Sequence, residues 1–137
     1  MRPETVAVLG PILRDLASSG VDVRVDEDWQ PSARHDPDPS TTVMVWTPDG
    51  SGTGVLVGEP GAPVDVEALY LASDAVHDAV VEARWAMGLS TAWPPCAWHP
   101  GGHPMILRVH DGKVVWTCST VGTVACCLGD LCSGSPA

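Results

Sequence analysis

Apolar residues recur at helical spacing in two stretches of the chain and alternate at strand spacing between and after them. Val6, Leu9, Leu13 and Leu16 fall three or four apart over residues 4 to 19, which predicts a helix closed by Ser18, Ser19 and Gly20. Pro11 lies inside that stripe and removes a backbone donor, so the helix either begins near Gly10 or kinks there. Val21, Val23 and Val25 alternate with Asp22, Arg24 and Asp26, the pattern of a half-buried strand. Thr42 to Thr47 and Gly54 to Val57 read as two further strands around the turn Pro48-Asp49-Gly50-Ser51-Gly52. From Val64 to Met87 the longest helical stripe runs through Leu69, Ala72, Val76, Val80, Ala83 and Met87, with Asp65 placed to cap its first turn and Gly88 to end it.

Beyond Gly88 the character changes. Trp93-Pro94-Pro95 stiffens the chain, and Met105 to Val109 and Lys113 to Thr117 predict two strands joined at His110-Asp111-Gly112, where Asp-Gly signals a hairpin. A third strand is expected over Thr123 to Leu128, before a frayed SGSPA tail. Gln30 to Ser40 carries Pro31, Pro37 and Pro39 with Asp36 and Asp38, a loop composition. The expected class is α+β: a small antiparallel sheet covered by two helices over residues 1–90, a three-stranded module over 91–132, and a tail over 133–137.

Composition narrows the function classes. A formal charge of −10, with only seven Lys plus Arg, excludes the basic face that tracks nucleic-acid phosphates. The acidic residues spread over Asp22 to Asp38 and along the long helix, as on a solvated face. No apolar run approaches the roughly 18 residues of a membrane span, and the amino terminus lacks an apolar signal core, so a cytoplasmic location is expected. In that compartment the five Cys read as thiols or metal ligands rather than disulfides.

The chemistry concentrates in WPPCAWHPGGHP. Cys96, His99 and His103 share one short window, and Cys118 returns after the hairpin. Thiolate and imidazole at such spacing are the donors zinc takes in tetrahedral sites, and Zn is the expected cofactor. Residues 93 to 131 resemble a zinc ribbon: Cys96-Ala97-Trp98-His99 looks like a first knuckle of form C-x2-H, and CSTVG from Cys118 like a second of form C-x2-C-G. Val121 stands where the ribbon pattern places the fourth ligand, and His103 is the natural substitute. The resemblance implies a structural metal held by Cys96, His99, His103 and Cys118, a set without net charge when both thiols are ionised. The string from Val80 through WPPCAWHPGGHP to DGKVVWTC also resembles a family of small proteins of high-GC bacteria without an assigned activity, in which a helix leads into WPxCPxHPxxHP and a later VWxC. That likeness implies that residues 80 to 118 form one unit and nothing about substrate.

Six Trp with one Tyr and no Phe is an unusual aromatic set, and Trp93, Trp98 and Trp116 are the candidate partner surface. The leading expectation is a zinc-binding module that engages a protein partner, with neither nucleic acid nor membrane as ligand. Two other classes stay open. One is a small metal-dependent enzyme, with Cys96, His99 and Cys118 on the metal and His103 as base; no carboxylate lies in the cluster to help it. The other is a thiol redox or metal-transfer protein using Cys126, Cys127 and Cys132. His77 with Asp78 and Glu82 lacks the HExxH spacing and reads as a surface contact on the long helix; His35 and His110 read as solvated.

Overall fold

The computed structural model describes residues 1–29 and 41–131. The proline loop, His35 and Cys132 lie outside the described residues. Two helices and two small antiparallel three-stranded sheets make up the fold, in the chain order α1 (Pro3–Ser18), β1 (Arg24–Asp26), β2 (Thr42–Trp46), β3 (Gly52–Leu56), α2 (Val66–Ala86), β4 (Met105–His110), β5 (Lys113–Cys118), β6 (Val124–Cys127). Each sheet is a meander, β1-β2-β3 and β4-β5-β6. Among the described residues no helix is long and apolar enough to cross a membrane.

α1 continues through Pro11. Its buried face is Glu4, Thr5, Val8, Leu9, Ile12, Asp15 and Leu16, not the expected stripe; Val6 is exposed and Leu13 only partly covered. The helix turns this way because Thr5 and Asp15 find polar partners far along the chain. Thr5 donates to Glu27 at 2.8 Å, so its burial leaves no polar atom stranded. The alternating valines yield only the three-residue β1, with Val21 and Val23 packed against the core ahead of it.

α2 follows its apolar pattern more closely. Asp65 accepts from the Ala68 amide at 2.7 Å and caps it. Ala72, Val76, Val80 and Ala83 are buried, joined on the same face by Ser73 and His77. In the second sheet, β4 and β5 pair from Met105 opposite Cys118 to His110 opposite Lys113. Asp111 and Gly112 both take positive φ, 50° and 71°, the two-residue turn whose twist matches an antiparallel hairpin.

One continuous buried cluster unites these elements. It takes Val8, Leu9, Ile12 and Leu16 from α1, Val43, Val45 and Val55 from the first sheet, Val76 and Val80 from α2, and Leu107, Val114 and Trp116 from the second sheet. α2 packs against α1 and against both sheets, so it is the spine between them. Trp93 joins the cluster, and its ring meets Trp116 edge-on at a centroid distance of 5.8 Å. Their burial removes Trp93 and Trp116 from the expected partner surface, because this small second sheet needs both rings as its cover. Trp98 keeps 44% of its surface exposed.

Candidate metal centre

Cys96, His99, His103 and Cys118 converge at one end of the second sheet. Pro95 and Pro104 form a bridge, the Met105 amide donates to the Pro94 carbonyl at 2.7 Å, and the Cys96 amide donates to the His103 carbonyl at 3.3 Å. These bonds fold residues 94–105 into a closed loop with Cys96 and His103 at its neck. The Gly102 amide donates to the His99 carbonyl at 3.0 Å, turning the chain between the two histidines. Cys118 reaches the same neck because it ends β5 opposite Met105.

The donor atoms form a compact polyhedron. His99 Nδ1 lies 3.4 Å from Cys96 Sγ and 3.4 Å from Cys118 Sγ. His103 Nε2 lies 3.2 Å from His99 Nδ1 and 3.8 Å from Cys118 Sγ. A tetrahedral zinc with Zn–N of about 2.0–2.1 Å and Zn–S of about 2.3 Å requires edges of about 3.3 Å for N···N and about 3.6 Å for N···S. Four of the six donor-to-donor edges fall within about 0.2 Å of those values, so the group could hold a metal ion. All four donors lie within 4.8 Å of one another.

The surroundings prepare the donors. His103 Nδ1 lies 2.9 Å from the Pro104 carbonyl and 3.0 Å from Ser119 Oγ. A proton on Nδ1 satisfies the carbonyl and leaves the Nε2 lone pair directed at the centre, the outer contact that orients a metal-binding imidazole. Thr120 Oγ1 stands 3.3 Å from His103 Nε2. Cys118 is fully buried. Burial pushes its thiol up, but the amides of Val121 and Thr120, with the side chains of Cys96 and His99, outweigh it and bring the thiol down to about 6. The segment after Cys118 closes a tight turn, with the Gly122 amide donating to the Cys118 carbonyl at 2.8 Å. Val121 contributes its amide while its side chain points into solvent.

Both helices hold this end of the sheet. His77 Nε2–H donates to the Trp93 carbonyl at 2.8 Å, three residues before Cys96. The carboxylate of Asp15, buried in α1, accepts from Trp116 Nε1 at 2.8 Å, from the Gly129 amide at 2.8 Å and from the Leu131 amide at 2.9 Å. His77 is therefore not the surface contact expected from its acidic neighbours. It is only 5% exposed, with Trp116 edge-on at 5.2 Å and Trp93 tilted at 5.8 Å.

Asp15, Ser119 and Thr120 are contributors that reading for apolar stripes and ligand types misses. Asp15 alone carried a signal, since it falls three residues after Ile12 on the buried face of α1. Cys126 and Cys127 lie partly buried on β6, opposite Trp116 and Val115, and neither joins the four-donor group. His110 is exposed and 3.4 Å from Asp111. Comparison with protein-family models, curated proteins and solved structures finds no match to this chain.

Proposed function

We propose that the chain is a small zinc protein in which Cys96, His99, His103 and Cys118 hold the ion as a structural clamp, and that it acts by engaging a protein partner. The observation that carries the metal reading is the agreement of four of the six donor-to-donor edges with a tetrahedral site. When bound, zinc supplies a covalent-like cross-link between loop 94–105 and the end of β5, which a three-stranded sheet with few core residues cannot make from packing alone. The closeness of His103 Nε2 to His99 Nδ1, 3.2 Å, favours a closed four-donor site over an enzyme in which His103 stands off as a base. The ribbon likeness of residues 93 to 131 supports the same reading. For the partner surface, support comes from Trp98, exposed between two donors, and from Trp85 and Leu89, exposed at 76% and 49% around the end of α2.

The test is the metal content of the full chain purified without added metal, measured by inductively coupled plasma mass spectrometry. One zinc per chain in the wild type, absent in Cys96→Ser/Cys118→Ser together with cooperative unfolding, is the expected result. A wild type free of stoichiometric metal overturns the proposal.

A further inference from the structure

The long helix carries a second group of metal-competent side chains. Asp74, His77 and Asp78 stand at positions i, i+3 and i+4 of α2, so one helix face presents all three. One donor atom of each lies within 4.8 Å of the other two. Acidic residues on a helix surface gather like this by chance, and the carboxylates alone would carry no weight. The imidazole changes the reading, because it is buried and only half used.

His77 spends Nε2–H on the Trp93 carbonyl, which fixes the tautomer and leaves a lone pair on Nδ1. Among the described residues Nδ1 has no hydrogen-bond or ion-pair partner, and neither has the carboxylate of Asp74 or of Asp78. The ring cannot turn away to find one, since Trp93 and Trp116 pack on it. Two carboxylates and the imidazole thus stand close together, with no hydrogen-bond donor from the described residues on either carboxylate or on Nδ1. Burial, then the charge of Asp78, holds Asp74 above its ordinary range. Burial also holds His77 below its ordinary value. A cation satisfies all three acceptors at once.

We propose that Asp74, His77 and Asp78 bind a divalent first-row cation through two carboxylate oxygens and His77 Nδ1, with water completing its shell. Two carboxylates balance the charge of such an ion. One imidazole among oxygens directs the site toward Mn2+, Fe2+ or Zn2+ and away from Ca2+ and Mg2+, which take oxygen alone. The Nε2–H to carbonyl bond is the outer contact that metal-bound histidines make, here supplied in advance by Trp93. This site shares no donor with the Cys/His centre.

Mn2+ is the probe, added to the 137-residue chain as purified and counted by the electron paramagnetic resonance signal of the free ion. The expected result is one Mn2+ per chain, bound about tenfold or more weakly by Asp78→Asn and by Asp74→Asn, with the zinc content of both variants equal to wild type. Asp78 is exposed, so its substitution leaves folding intact, which the far-ultraviolet circular dichroism melt verifies. Absence of Mn2+ binding overturns the proposal, as does equal affinity in wild type and Asp78→Asn. The two centres fail separately: a chain that lacks zinc yet binds Mn2+ through Asp78 sinks only the first reading.

Discussion

Replacing Asp15 by Asn tests whether the second sheet is tied to α1 by directed hydrogen bonds or merely packs on it. The two side chains are nearly isosteric, so a packing role predicts almost no change. The carboxylate, however, works with both oxygens: Oδ2 accepts from Trp116 Nε1 and the Gly129 amide, and Oδ1 accepts from the Leu131 amide. Asn has one acceptor oxygen. In its best pose that oxygen replaces Oδ2, and its NH2 group then faces the Leu131 N–H, donor against donor.

One bond to a charged acceptor is lost, at about 1.5–3 kcal/mol, and two others fall from charged to neutral strength at about 1 kcal/mol each. Relief from burying a charge offsets part of this, leaving a net loss of about 2–4 kcal/mol. For a chain of this size that lowers Tm by about 3–5 °C per kcal/mol. Asp15→Ala orphans all three donors and falls lower still, to a loss of about 3–5 kcal/mol. Urea titration followed by Trp emission and circular dichroism gives the difference directly, and the Trp116 indole N–H resonance reports loss of its acceptor. An Asn variant within about 0.5 kcal/mol of wild type, with that indole N–H still protected from exchange, refutes the reasoning.

Two further outcomes follow from named contacts. His77 has its folded pKa depressed, by burial above all, so the unfolded chain takes up a proton near 6.5 that the native state resists. Stability is therefore full above about pH 6.5 and falls as pH drops below it, levelling out beneath the folded pKa; in His77→Gln that part of the slope disappears from urea midpoints measured between about pH 4.5 and 7.5. Gly52 lies opposite Trp46 in the first sheet, and a Cβ there would sit 2.7 Å from Trp46 Cζ3 and 3.0 Å from Met44 Sδ. Gly52→Ala is expected to displace that ring from Arg24, now 5.5 Å from its centroid, and to cost about 1–3 kcal/mol; an unchanged Trp emission and urea midpoint would contradict it.

The elements that the sequence made legible are those set by local chemistry. Asp65 and Gly88 bound α2, Asp111-Gly112 closes the second hairpin, and Cys and His crowd into one loop, so ranges and candidate donors could be read within a few residues. What stayed hidden depends on contacts distant in sequence. The face of α1 was misjudged because Thr5 and Asp15 are polar and buried, each rewarded by partners more than 20 residues away. Trp93 and Trp116 looked like surface aromatics because nothing local shows that α2 will lie across them. His77 looked like a surface contact for the same reason: acidic neighbours on one helix say nothing about the two indoles that close over it.

These same long-range contacts bear on how the Cys/His centre is held. Its donors are presented by backbone that the rest of the chain fixes: Cys96 follows three residues after the Trp93 carbonyl bound by His77, and Cys118 two residues after the Trp116 indole bound by Asp15. Cutting the chain near residue 90 would strand both of those groups, each costing about 1–3 kcal/mol if left buried without a partner, and would strip α2 from β4 and β5. An ion that binds only the assembled neck adds its binding free energy to the stability of everything that holds the neck in place, helices included. An ion loaded at the centre would therefore stiffen α1 and α2 as well as the small sheet, and loosening Asp15 or His77 would weaken its hold without touching a donor atom.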